Sequence, residues 1–473
     1  MEGGRDAPRK WEKGMTSVAS GSESLFFHRK GDIVDHLLAK VLANGQRKIG
    51  TEWEMFLIRP EFFIDPDFSR SADKKAFSSA DRMRVFKELM YLFKAHGHAP
   101  EYMWEGALDV RHIVGVSVPG LVTVVPEAGH QFEFSCSVCD SVEEVAEKNE
   151  EIYRTIMAVA DHLGYVAVFK GHVPGYAETA DVMSRSRALE WMRYYESARF
   201  SERERFILSE TQNGTASVQF TVDAGGEDFH EFFRALLLIE PALTAYYANS
   251  DRSFVGIRSY GAIVPSQVAP IVDAWTAKTP RQALDAIVER LMRIDVPFLP
   301  DPEHEGLYKA EPFRGSRPPC VQEIMDEGRL NERMLNNICG FFYTRPALKN
   351  FAQGLLEVRG VDSQSEPETI ADIARRICAL LYRDEARKQL LRDYDHLTSL
   401  DIQRLHKASV SVGKGIASQL RISGMTFASF VADILYRSEA PRSFAKIIPF
   451  YGAPLLAGRK DNSGFSLKRY NRV

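Results

Sequence analysis

The sequence predicts an α+β fold: a largely antiparallel β-sheet surrounded by helices. Two observations lead there. Hairpin-like pairs of strand candidates are separated by single long helical stretches, which matches neither repeated β-α-β units nor the even spacing of an all-β chain. The strand candidates also alternate polar and apolar residues, as strands with one covered face do.

In chain order, residues 1–24 (MEGGRDAPRKWEKGMTSVASGSES) are rich in Gly, Ser and charge, and predict a flexible leader with too little apolar content to offset the entropy of ordering. Residues 45–58 (GQRKIGTEWEMFLI) open with turn chemistry and continue as a strand. Residues 81–96 and 141–163 have helical spacing; in the second, Val142, Val145, Ile152, Ile156, Val159 and Leu163 fall on one face. Segments 112–125, 130–136 and 214–223 read as strands, followed by a helix over about 227–248. Residues 281–296 and 366 to about 440 read as mostly helical, with LLEVRGVD at 355–362 as the one late strand, expected to return to the main sheet. The stretch 298–319, with five prolines, reads as a loop within a domain. The expected organisation is thus a leader over 1–24, a catalytic unit over 25–385, and a mostly helical extension over 386–473 packed on the same unit. Its tail is basic, with Arg459, Lys460, Lys468, Arg469 and Arg472.

Composition narrows the classes of function. With 473 residues, of which 45% are hydrophobic, the chain can bury a substantial core without cross-links. Its 60 Lys and Arg against 64 Asp and Glu leave a net charge of -4, which gives no field of one sign to attract nucleic acid or an anionic membrane. No apolar run approaches a spanning helix, and the N-terminus lacks a secretory core, so the expected location is the cytoplasm. Five cysteines are too few and odd in number for a disulfide framework. Cys136 and Cys139 form a lone C-x-x-C beside a strand and read as sheet edge more than redox centre.

Several common chemistries lose their support. There is no G-x-x-x-x-G-K-[ST] and no G-x-G-x-x-G after a strand, and Gly413-Lys414-Gly415 lacks the upstream glycine. Neither H-E-x-x-H nor a G-x-S-x-G elbow occurs.

What remains is a set of oxygen-rich strand faces. In GTEWEMF, Glu52 and Glu54 project to one side and Trp53 and Met55 to the other. Two carboxylates so close hold a proton between them or share a cation such as magnesium, although an E-x-E strand alone is more often a solvated face. In PEAGHQFEFS, Gln131, Glu133 and Ser135 share a face, Phe132 and Phe134 cover the other, and Glu127 before the Ala128-Gly129 turn can lean toward the first. TASVQFTVD places Thr215, Ser217, Gln219, Thr221 and Asp223 together. In LLEVRGVD, Glu357 and Arg359 point together while Leu356 and Val358 pack. Four such strands are what a sheet-lined cup for metal ions and phosphates requires.

These motifs, in this order, resemble the glutamate-cysteine ligase family, particularly its plant and proteobacterial branch. KIGTEWEMF (Lys48 to Phe56) is similar to the family's KIGTE-x-E-x-F, EAGHQFEFS (Glu127 to Ser135) to EPGGQFELS, and TASVQFTVD to T-x-T-V-Q-V-N-L-D. PALTAYYANS (Pro241 to Ser250), MRYY at 192–195, Arg258 in GIRS and EVRGVD at 357–362 extend the similarity over roughly residues 46–385. The resemblance implies a glutamine-synthetase-like cup and ATP-dependent joining of a carboxylate to an amine. In that reaction the γ-carboxylate of glutamate is phosphorylated and the amine displaces phosphate. Carried over by position, Glu52, Glu54, Glu127, Glu133, Gln219 and Glu357 are the expected Mg2+ shell, with Glu54 also catalytic. Arg359 is expected to stabilise the transferring phosphoryl group and, with Gln131, to meet ATP. Arg193 and Arg258 are expected to pair with substrate carboxylates, surface ion pairs being the alternative for both.

About four negative charges of a triphosphate entering an acidic site become tolerable only with bridging divalent cations and arginine. The expected partners are therefore small molecules (glutamate, with cysteine or another amine) and neither nucleic acid nor membrane, in a monomer or homodimer. Departures concern the acceptor side. After Arg258 the branch continues with a tryptophan and an acid-arginine stretch, whereas this chain reads SYGAIVPSQVAPIVDAW. After EVRGVD it expects a proline- and tryptophan-bearing turn, whereas here SQSEPETIADIARR runs into a helix. A different acceptor or donor, or a silent homologue that only binds nucleotide or amino acid, are the competing expectations.

Overall fold

The computed structural model describes residues 25–65, 75–105, 112–127, 129–180, 186–197, 199–250, 269–301, 307–339, 344–350, 354–410 and 420–439. The leader, Arg258, the Gly413-Lys414-Gly415 stretch and the basic tail lie outside them.

The sheet is assembled from β1 (Ile49–Ile58), β2 (Glu101–Glu105), β3 (His112–Val118), β4 (Val122–Pro126), β5 (Phe132–Cys136), β6 (Val166–Val168) and β7 (Ser217–Asp223). Later in the chain, β8 (Phe298–Pro300) and β9 (Tyr308–Ala310) form a separate hairpin, and β10 (Ala347–Asn350) and β11 (Leu355–Asp362) complete the main sheet. Among the described residues that sheet has nine strands in the order β10-β11-β7-β1-β5-β4-β3-β2, with β6 paired to β1. Each of its pairings is antiparallel. The architecture is the mixed helix and antiparallel sheet that the sequence predicts, and LLEVRGVD does return to its centre.

Differences from the sequence expectation have local causes. The segment 112–125 is not one strand but the hairpin of β3 and β4. Pro119 and Gly120 interrupt it, and Gly120 takes a φ of 77°, the left-handed conformation a tight turn asks of glycine. The 298–319 loop contains the β8–β9 hairpin. Two helices unassigned from the sequence, Ser186–Glu196 and Glu202–Asn213, precede β7, and the second begins with a legible signal. Ser201 caps it by accepting from the Glu204 amide while Glu204 reaches back to the Ser201 amide.

One face of the sheet is core. Along β1 the burial alternates, with Thr51, Trp53 and Met55 buried and Glu52 and Glu54 partly open. Trp53 stacks on Phe169 and Tyr153 and donates its indole N–H to the Gln364 carbonyl at 3.1 Å. The Val142–Leu163 helix covers this face; Ser141 caps its start, left-handed Gly164 ends it, and Val145, Ile152, Ile156 and Val159 are fully buried. Each such aliphatic contributes about 2 kcal/mol by leaving water. The Phe229–Tyr246 helix, almost wholly buried, packs against β11, and Ser399–Ser409 and Phe427–Ser438 pack against it in turn. The hydrophobic cluster accordingly runs from Phe27 to Ile434.

Candidate functional site

The other face collects acids from three strands, and an amide from a fourth, by register alone. On adjacent strands Glu52 stands opposite Gln219, and Glu54 opposite Glu133. Glu357 on β11 is opposite Thr221 of β7, one strand further along. Because side chains two apart share a face and direct partners across a ladder share it too, these pairings place Glu52, Glu54, Glu133, Gln219 and Glu357 on one surface. Glu127 joins them from the β4–β5 turn, whose ends are tied by the Glu127 amide donating to the Gln131 carbonyl at 2.7 Å.

Hydrogen bonds fix several of these groups. The Glu54 carboxylate accepts from the Ser217 amide at 2.7 Å, the Ser217 hydroxyl at 3.0 Å and the Gln219 side-chain amide at 3.0 Å. Glu133 accepts from the Ser135 hydroxyl at 2.8 Å. The Lys349 ammonium, on β10, contacts both Glu52, at 2.5 Å, and Glu357. Arg359 donates from its Nε to the other oxygen of Glu357. Lys349 carries no motif of its own and was not legible in the sequence; only its place three residues past Pro346, on the strand that leads into β11, brings it here.

The charges have electrostatic consequences. Burial and the facing Glu133 and Glu127 carboxylates push Glu54 well above the usual carboxylate range. Glu133 is raised by burial and by Glu127. Glu52 is pushed up to about 7 by burial, with Glu133 and Glu357 adding to it and Lys349 opposing. Burial raises Glu357 as well, but the Arg359 and Lys349 cations outweigh it and hold this carboxyl below its ordinary value.

The remaining expected residues sit differently. The Gln131 side chain is committed to backbone: its oxygen accepts from the Gly129 amide, and its nitrogen donates to the carbonyls of Gln212 and Thr215 at 2.8 and 3.0 Å. It therefore staples the turn bearing Glu127 to the junction between the Glu202–Asn213 helix and β7. Beside it, His130 takes a φ of 64° at a position where the resembling motif has glycine. Arg193 pairs with the buried Glu190 three residues earlier and exposes 68% of its side chain, while its neighbours Tyr194 and Tyr195 are core. Burial pushes the thiols of Cys136 and Cys139 up to about 12 and about 11, so neither is a ready thiolate, and no cysteine forms a disulfide.

Two of the motifs meet in space. The Asp362 carboxylate of EVRGVD accepts from the Asn249 amide at 2.6 Å and the Ser250 hydroxyl at 2.7 Å, so the ANS end of the Phe229–Tyr246 segment anchors the end of β11.

Comparison with known proteins adds a family match. Residues 48–251 match glutamate-cysteine ligase family 2. The matched segment begins at Lys48 and carries β1, the β4–β5 hairpin with Glu127 and Glu133, β7 with Gln219, and the ANS anchor. Glu357 and Arg359 lie beyond the glutamate-cysteine ligase match, and it is the β11–β7 register that brings them to it. No curated protein sequence matches the chain. Among solved structures it is similar to a chain in the crystal structure of the complex between prokaryotic ubiquitin-like protein Pup and its ligase PafA, with 11% identity and a TM-score of 0.29. The similarity covers 84% of this chain and 63% of that one.

As the side chains stand, no group of three or more His, Cys, Asp or Glu among the described residues is arranged so that it could hold a metal ion. The donor set nevertheless suits a hard divalent cation: carboxylate and amide oxygens, with Glu54 and Glu133 raised above the ordinary carboxylate range by burial and then by the neighbouring acids. Among the described residues no helix is long and apolar enough to cross a membrane.

Proposed function

We propose that this chain is an ATP- and Mg2+-dependent carboxylate-amine ligase that activates the γ-carboxylate of glutamate as an acyl phosphate and joins it to an amine. Cysteine is the acceptor the family suggests. The observation that carries this reading is the register that sets Glu54 against Glu133 and Glu52 against Gln219, with Arg359 fixed to Glu357 two strands away.

Bound Mg2+ would supply the positive charge that makes a triphosphate tolerable beside these carboxylates. The residues that would hold it are Glu52, Glu54, Glu127, Glu133, Gln219 and Glu357. Ser217 and Gln219 orient the Glu54 carboxylate by three hydrogen bonds, so its position is set before any ligand arrives. Arg359, held by Glu357, offers a fixed cation for charge that develops on the transferring phosphoryl group. Gln131 acts through the turn it staples, keeping Glu127 near the face. Arg193, largely exposed, is available to a substrate carboxylate, and the same role for Arg258 rests on the family motif. The charge balance and small-molecule chemistry agree with a cytoplasmic enzyme whose core unit spans residues 25–385 and carries a helical extension.

A second reading, the same chemistry with another amine, is favoured by the segment after β11. Gln364 donates to the carbonyls of Tyr247 and Asp362 at 2.8 Å, and the chain then enters the Pro367–Leu381 helix. The rim that follows EVRGVD is thus tied into the core, where the resembling branch has a proline- and tryptophan-bearing turn. The test is ATP consumption by the purified protein with Mg2+ and glutamate, adding candidate amines singly. Cysteine-dependent ADP release supports the first reading and stimulation by another amine the second; nucleotide binding without turnover with any amine overturns both. Glu52→Gln and Glu357→Gln should abolish turnover while leaving the protein folded.

A further inference from the structure

We propose that Lys349 is a resident cation of this site, occupying the place between Glu52 and Glu357 so that a divalent ion is confined to the Glu54, Glu127 and Glu133 side of the face. The inference rests on the metal-dependent reading above and narrows its metal shell: Glu52 and Glu357 are taken by Lys349 and withdrawn from the residues that hold the ion.

The division is visible in the contacts. On one side, two acids meet two cations: Glu52 and Glu357 share the Lys349 ammonium, and Glu357 also takes the Arg359 guanidinium. Glu357 is fully buried, and a carboxylate there is tolerable only because it is paired twice. On the other side stand three acids. Glu54 and Glu133 are direct cross-strand partners, Glu127 stands on the turn between β4 and β5, and the groups that bond Glu54 are neutral: Ser217 and Gln219.

The position of Lys349 is built into the backbone. In the β10–β11 ladder Leu348 pairs with Leu356 and Asn350 with Leu355, so Lys349 is the extra residue of a bulge. Bulges of this kind re-aim a side chain, and this one sits opposite the start of β11 with Ala347 facing Glu357. A lysine is also suited to the task, since its ammonium is a compact point charge on a long stem that can enter a gap between two carboxylates. A divalent ion placed between Glu52 and Glu357 would have to expel this ammonium or lie beside it, and like charges at that distance repel strongly in a partly dry site.

The test counts ions, with no need for turnover. The metal-free full-length protein is titrated with Mn2+ in the absence of nucleotide, and bound ions are counted from the loss of the free-ion paramagnetic resonance signal. The expected result is that Lys349→Gln binds one Mn2+ more than the unaltered chain, whereas Lys349→Arg does not. In the unaltered background, Glu133→Gln should weaken Mn2+ binding by more than about tenfold and Glu52→Gln by much less. An unchanged count in Lys349→Gln overturns the proposal. Should that variant not fold, greater weakening by Glu52→Gln than by Glu133→Gln overturns it independently. If the unaltered chain binds no Mn2+ but Lys349→Gln gains one, the resident-cation assignment stands and the metal-dependent ligase reading is what fails.

Discussion

Glu240, in the middle of a buried helix, accepts hydrogen bonds from two consecutive amides of β11, those of Arg359 at 2.9 Å and Gly360 at 3.0 Å. The reason lies in the register: Val358 pairs with Phe220 but Val361 with Val218, so β11 carries one extra residue at this point and its amides leave the ladder. The carboxylate supplies the acceptor that the neighbouring strand no longer offers. Gly360 makes the approach possible, because a Cβ there would lie 2.2 Å from the Thr244 hydroxyl oxygen. The orientation of Arg359 is therefore set from behind the sheet.

Replacing Glu240 by Ala removes that acceptor and leaves two buried amides and the neighbouring buried Arg345 uncompensated. A stability loss of about 3 kcal/mol is expected in denaturant unfolding. On the proposed function, kcat should fall far more than the KM for glutamate changes, since Arg359 loses its aim. Glu240→Gln, which keeps an acceptor oxygen, should restore most of kcat. Equal loss in both variants would mean that the negative charge matters more than the bulge.

The same residue makes a prediction about pH. Burial pushes Glu240 from 4.5 up to about 7, although Arg345 and the two amides pull it down. In the unfolded chain the group ionises near its ordinary value, so the folded state binds the proton more tightly and unfolding releases it. Its contribution to stability is full below about pH 4.5, declines as pH rises toward about 7, and is lost above. The decline amounts to about 3 kcal/mol at most. Unfolding free energies measured from pH 5 to 8 should fall with pH, and less steeply in Glu240→Gln. Glu52, also raised to about 7, adds to the slope in the same direction, so part of it should persist in the variant.

Glu133→Gln offers a contrast between stability and function. Glutamine still accepts from the Ser135 hydroxyl, while the repulsion with Glu54 directly across the ladder disappears. Without metal the variant should be more stable by about 1 kcal/mol, read as a rise of a few degrees in Tm, and should gain less than the unaltered chain when Mg2+ is added. A lower Tm in the metal-free variant would show that the carboxylate pair stabilises the fold, for example by sharing a proton.

How much of this could be read beforehand depends on the periodicity of each element. Glu52, Glu54, Glu133 and Gln219 were legible because strand alternation fixes the face of a side chain regardless of tertiary context, and the long apolar spacing of 141–163 fixed its helix for the same reason. The bonds of Gln131 were not legible: it lies just before β5, and the carbonyls of Gln212 and Thr215 that its amide meets come from a segment far along the sequence. Glu240 and Lys349 escaped altogether. Each acts at a bulge, and a bulge is a property of two strands in register, which neither strand announces alone. The split of 112–125 was legible in principle, since Pro119-Gly120 is turn chemistry within a strand-like run.

Arg359 is the residue on which the proposed chemistry turns, and its geometry separates charge from shape. Its Nε is bonded to Glu357, which fixes the plane of the guanidinium. Lysine at this position would keep the charge but not the planar fork or the tether. Arg359→Lys should therefore bind ATP within a few-fold of the unaltered chain yet lower kcat by about a thousandfold, the range seen when an arginine that meets phosphoryl-transfer charge is lost. The measurement is single-turnover ADP formation alongside equilibrium nucleotide binding. If Arg359→Lys instead retains kcat and loses nucleotide affinity, Arg359 serves ground-state binding, and the charge that assists phosphoryl transfer has to come from Lys349, the other cation bonded to Glu357.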